Sequence, residues 1–76
     1  MTKLPQCSGH DCIRALERAG FYERKRKRSG GDHVFMQHDE PYFATVVPMH
    51  KTLKPGTLRA IIRQSGLTVE QFVDLL

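Results

Sequence analysis

Five consecutive cations, Arg24 through Arg28, run directly into Ser29-Gly30-Gly31-Asp32-His33. Lysine and arginine are almost never fully buried without a partner charge, so the middle of this chain must lie at the surface. The Ser-Gly-Gly-Asp cluster is a turn signal. It separates an extended stretch, beginning at Phe21 and Tyr22 and continuing through the basic run, from His33-Val34-Phe35-Met36-Gln37-His38, and the two predict a hairpin. Asp39-Glu40-Pro41 breaks the chain again. Tyr42-Phe43-Ala44-Thr45-Val46-Val47 then has the aromatic and β-branched content of a third strand, ended by Pro48.

Helical signals flank this region. Ser8 is a candidate N-cap with Asp11 three residues on, Cys12, Ile13, Leu16 and Ala19 recur at helical spacing, and Gly20 supplies a left-handed stop. A helix from Gly9 to Ala19 is expected. After Pro48 the period changes back: Leu58, Ile61 and Ile62 form one apolar face just after Pro55-Gly56-Thr57, and Arg59 and Arg63 share another. Gly66 ends that helix. Thr68-Val69-Glu70-Gln71 is a capping box that opens a short last helix, with Val69, Phe72, Val73 and Leu76 as its apolar positions. The predicted class is α+β, in the order α-β-β-β-α with a short C-terminal helix. One sheet face can be covered by the helices while the other stays open. With 76 residues the whole chain, 1–76, makes one domain, and function must sit on its surface.

Twelve Lys and Arg against eight Asp and Glu give a net charge of +4, modest in total but concentrated at Arg24–Arg28. Such a patch gathers a polyanion by displacing its counterions, and glycine lets backbone approach a phosphate closely. Arg24, Arg26, Lys27, Arg28 and Gly31 are therefore candidate contacts to the phosphates of a nucleic acid, joined by Lys54, Arg59 and Arg63. The competing account of the basic run is a solvated edge strand whose charges prevent aggregation. His33, at the end of the glycine turn, is the candidate catalytic base, because an imidazole exchanges protons near neutral pH. His38 lies five positions along the same strand and should face the other way. His50, just past the strand-ending proline, is the better candidate for a second acid/base group. Phe35 and Tyr42 read as sheet residues before they read as base-stacking ones.

No metal or cofactor is expected. Cys7, His10 and Cys12 lack the second ligand pair of a structural zinc site. Two closely spaced cysteines without a disulfide framework point to a reducing, intracellular setting. No stretch approaches the roughly 20 apolar residues of a membrane span, and the N-terminus has no apolar signal core, so no membrane association and a cytoplasmic location are expected.

The run from Val47-Pro48-Met49-His50 through Lys54-Pro55-Gly56-Thr57-Leu58-Arg59 to Ser65-Gly66-Leu67-Thr68 resembles the C-terminal half of the HicA toxin family, also called the YcfA-like family. Ala19-Gly20-Phe21 and Gly31-Asp32-His33 are similar to that family's Gly-Phe and Gly-Ser-His motifs. The resemblance implies a double-stranded-RNA-binding-domain-like fold and the toxin of a type II toxin-antitoxin pair. It further implies an endoribonuclease, or mRNA interferase, that cuts mRNA and is silenced by a HicB-like antitoxin; no feature of the sequence demands a metal for that cut. The family's catalytic histidine falls on His33. The chain departs from the pattern at Asp32, where serine is usual, and in a longer glycine turn. A carboxylate there can orient the imidazole or repel the scissile phosphate. The alternative is a non-catalytic RNA-binding module of the same fold.

Overall fold

The computed structural model describes residues 3–25 and 32–76. Among them the order is α1 (Gly9–Arg18), β1 (Tyr22–Glu23), β2 (His33–His38), β3 (Phe43–Pro48), α2 (Pro55–Gln64) and α3 (Val69–Leu75). The strands form one antiparallel sheet in the order β1-β2-β3, with Tyr22 opposite Gln37 and His33 opposite Pro48. This is the expected α+β, α-β-β-β-α arrangement with its short last helix, as in double-stranded-RNA-binding domains.

Two of the three helices, α1 and α3, start by the same device. In α1, Ser8 accepts from the Asp11 N–H at 3.0 Å while the Asp11 carboxylate accepts from the Ser8 N–H, a reciprocal capping box. In α3, Thr68 and Gln71 repeat it. Lys54 heads α2 without a side-chain cap, and Pro55 takes the first helical position, where a missing N–H costs nothing and φ is already helical. That is why α2 begins three residues before its apolar face. The residue preceding each cap and the fourth residue of each helix form a hydrophobic pair at staple positions: Cys7 with Cys12, Leu53 with Leu58, Leu67 with Phe72.

Two of the helices also end alike. The N–H of Phe21 donates to the Leu16 carbonyl and that of Gly20 to Glu17; in α2, Leu67 donates to Ile62 and Gly66 to Arg63. These are Schellman closures, which need a left-handed residue, and Gly20 (φ 98°) and Gly66 (φ 73°) supply it. At Gly66 a side chain would also run into the Phe43 ring.

The core lies between the helices and one face of the sheet. Cys12, Ala15 and Leu16 from α1, Met36 and Val47 from the sheet, Leu58, Ile61 and Ile62 from α2, and Phe72 from α3 are buried together. Phe72 is fully buried, which contributes on the order of 2–3 kcal/mol. The last helix packs Leu75 against this core, while Leu76, an expected apolar contact, is 43% exposed. On the covered face Thr45 donates to Gln64 of α2 at 2.8 Å. Among the described residues no buried side-chain nitrogen or oxygen lacks a hydrogen-bond partner, and no helix is long and apolar enough to cross a membrane.

Two strand limits differ from the sequence expectation. The first strand covers only Tyr22–Glu23, although the Arg24 N–H still donates to the Phe35 carbonyl at 2.8 Å. The third is shifted one residue, to Phe43–Pro48, leaving Tyr42 in the turn. Proline is tolerated in β3 because that strand lies at an edge of the sheet, where a ladder donor can be spared.

Candidate nucleic-acid interface and active site

Strand alternation fixes which side chains share the open face. Met36 is in the core, so Val34 and His38 point the same way as Met36, and His33, Phe35 and Gln37 point to the opposite side. By the pairing register, Ala44, Val46 and Pro48 from β3 and Tyr22 from β1 join them. The open face thus carries His33 at one end, exposed, and a polar cluster at the other.

His33 sits at the first ladder position of β2. Its strand is held there by the Met49 N–H, which donates to the Asp32 carbonyl at 2.6 Å, and by the pairing of His33 with Pro48. His50 follows two residues after Pro48, so its Cα lies within about 7 Å of the Pro48 Cα. The His50 carbonyl accepts from the Gly9 N–H at 2.9 Å, which ties this loop to the start of α1. Gly9 is buried, and a Cβ there would press into the Pro48 carbonyl oxygen and lie 2.9 Å from Met49 Cα; the close approach needs glycine. The Leu53 N–H donates to the Cys7 carbonyl at 2.8 Å, so the 49–54 loop spans the starts of α1 and α2. The structure therefore brings exposed His33 and exposed His50 to one end of the sheet, with Lys54 exposed at the far end of the same loop.

His38 is elsewhere. It points to the covered side, its ring is tilted against Phe21 at 5.3 Å, and its Nδ1 lies 2.8 Å from the Pro41 carbonyl oxygen. Cys7 and Cys12 are explained by packing at the start of α1. Burial pushes their thiols up to about 11 and about 12, so both remain protonated. Among the described residues no three His, Cys, Asp or Glu side chains gather as a metal-binding group.

The candidate RNA contacts fall in separate places. Arg24 lies on the open face, where its Nη1 donates to Gln37 Oε1 at 2.9 Å. Arg26, Lys27, Arg28 and Gly31 lie outside the described residues. Arg59 and Arg63 are exposed on α2, away from the core, and line a shallow groove with Leu67 and Val69 at the α2–α3 junction. Because α2 packs on the covered side, this pair does not share the surface of His33.

A cluster not anticipated from the sequence surrounds Arg24. Gln37, only 8% exposed, donates from Nε2 to the Tyr22 hydroxyl (3.0 Å) and to Asp39 Oδ1 (2.8 Å), while Tyr22 donates to the same oxygen (2.9 Å). Those bonds, from Gln37 first and Tyr22 second, hold the Asp39 carboxyl below its ordinary range; the bond to Asp39 raises the Tyr22 phenol. Alternation from His33 was enough to put Gln37 on the open face. The β1–β2 register that brings Tyr22 and Arg24 to it is not visible in a single sequence.

These features define a small α+β domain of the double-stranded-RNA-binding type, with one sheet face packed and one exposed face carrying a histidine and an ordered arginine. A family model described as HicA toxin of bacterial toxin-antitoxin matches residues 9–67. The chain belongs to the HicA toxin family, toxins of toxin-antitoxin systems that have an antitoxin partner and are generally associated with ribonuclease activity. A comparison with curated proteins gives no match.

Proposed function

We propose that the chain is an endoribonuclease that cuts mRNA in the cytoplasm, with His33 as general base and His50 as the acid partner. The observation that supports this reading is an exposed His33 on the open sheet face, paired with Pro48, with exposed His50 two residues farther along the chain and the first strand running into the basic run. RNA supplies its own nucleophile. A neutral His33 imidazole removes the 2′-hydroxyl proton, the 2′-oxygen attacks phosphorus, and the P–O5′ bond breaks as protonated His50 delivers a proton to the leaving oxygen. The products are a 2′,3′-cyclic phosphate and a 5′-hydroxyl. No metal is required by these steps. Arg24 helps to gather the RNA backbone, the cations at 26–28 offset the charge added at phosphorus, Gly31 allows close backbone approach, and Lys54 extends the basic surface past His50. Arg59 and Arg63 form a second, outer patch that a longer RNA reaches by passing the Lys54 end. A HicB-like antitoxin with acidic groups silences such a surface by covering it.

The test is cleavage of an end-labelled single-stranded RNA, with chelator present, beside a copy carrying 2′-deoxy sugars. Cleavage of the first and survival of the second is expected. Cleavage of both would remove the 2′-hydroxyl from the mechanism, and salt-sensitive binding with both strands intact would establish the non-catalytic RNA-binding module instead.

A further inference from the structure

The open face holds an ordered assembly that proton transfer at His33 does not use. The Tyr22 hydroxyl is anchored twice, donating to Asp39 and accepting from Gln37, yet the residue is 44% exposed. An aromatic ring with its polar end fixed and its body in water is a rigid stacking surface, which loses little freedom when a partner arrives. Beside it, Gln37 Oε1 holds one arm of the Arg24 guanidinium. That group has five N–H donors, and this is its one hydrogen bond among the described residues, so the rest of the fork is available to an anion. The Gln37 amide thus links the two: both its donors go to the Tyr22–Asp39 pair and its acceptor to Arg24.

The position of this assembly matters as much as its contents. His33, Phe35 and Gln37 alternate along one strand on one face, which sets the Gln37 cluster about 13 Å from His33 along β2. A strand of RNA with its scissile phosphate at His33 and its backbone along β2 passes over Tyr22 and Arg24. The charge sign fits a polyanion, since Arg24 is the first of five consecutive cations.

We propose that Tyr22, Arg24 and Gln37 form a subsite for one unpaired nucleotide of the RNA, remote from the cut: the Tyr22 ring stacks on the base, Arg24 takes its phosphate, and Gln37 positions both. This rests on the ribonucleic acid reading of the open face and adds to it a binding determinant that requires single-stranded substrate.

Binding is measured by fluorescence anisotropy in a His33→Ala background, with an oligonucleotide in which a single abasic position is walked along the strand. Thermal melts establish that each variant is folded. Tyr22→Ala is expected to weaken binding about tenfold, the scale of one base–aromatic stack; Tyr22→Phe, which keeps the ring, loses less. One abasic position should cost the unsubstituted Tyr22 chain a similar factor and cost Tyr22→Ala nothing further. Arg24→Ala should lower the slope of log affinity against log salt by about 0.7. Gln37→Ala should weaken binding on its own yet add nothing to Arg24→Ala and Tyr22→Ala combined, a coupling that a purely structural role would not produce. The subsite is overturned if Tyr22→Ala binds as tightly as its parent, or if the tyrosine and abasic losses add. It is likewise overturned if these variants keep RNA affinity and lose only antitoxin binding. Failure of the parent to bind any RNA would instead bring down the RNA reading itself, and the subsite with it.

Discussion

The two faces of the sheet solve different problems. The covered face is closed by shape: Met36 and Val47 meet Leu16, Leu58, Ile62 and Phe72 with almost no surface left to solvent. The open face is ordered by hydrogen bonds, with Gln37 shielded by Tyr22, Arg24 and Asp39. Burial on the first side stabilises the domain and is indifferent to which partner arrives. The polar order on the second contributes less to stability and instead holds specific side chains in place, as expected of a surface that binds something. Val46, 42% exposed in the middle of this side, makes the contrast plain when set against Val47, which is buried.

The sharpest way to break this contrast is to truncate one side chain on each face. Phe72→Ala removes the largest fully buried side chain and should cost about 3–5 kcal/mol, read from denaturant unfolding; that is enough to unfold much of a domain this small. Gly66→Ala, which forces a left-handed φ on alanine and meets the Phe43 ring, should cost more than about 1 kcal/mol in the same assay. Gln37→Ala on the open face should cost only about 1 kcal/mol of stability while weakening RNA binding. A Gln37→Ala loss as large as that of Phe72→Ala would mean that the open face is part of the core.

Acid titration separates the faces further. The Asp39 carboxyl is held below its ordinary value by its bonds from Gln37 and Tyr22, so its contribution is fully present above the ordinary carboxylate range and is lost as pH falls through the lowered folded value. Asp39→Asn should flatten part of the acid limb of a stability–pH curve, where an unchanged limb would mean that the cluster does not persist in solution. Val46→Thr should shift stability least, within about 0.5 kcal/mol.

Much of the covered side was legible in the sequence, because burial leaves a periodicity: Cys12 and Leu16, then Leu58, Ile61 and Ile62, mark the inward stripes of α1 and α2. Capping residues marked where α1 and α3 begin. The apolar face after Pro55-Gly56-Thr57 located α2, whose first residue proves to be Pro55 itself. Leu75 and Leu76 are equivalent in composition, and only the packing of α3 decides that Leu75 turns inward. On the open side the sequence marked His33 and the cations as chemistry, but Tyr22, Gln37 and Asp39 carry no local pattern. Their meeting depends on cross-strand register, and Gln37 alone looks like an ordinary strand residue. The separation of Arg59 and Arg63 from His33 was equally hidden, because helical spacing places two arginines together without saying which side of the sheet their helix covers.

The most direct test of the account is the single-turnover rate of RNA cleavage by the parent chain and by His33→Ala, each at saturating protein and with chelator present. The account requires His33→Ala to lose at least about 100-fold in rate, the usual contribution of a general base, while still binding the RNA. Cleavage by His33→Ala at the parent rate would contradict it and move the chemistry away from the open face of the sheet.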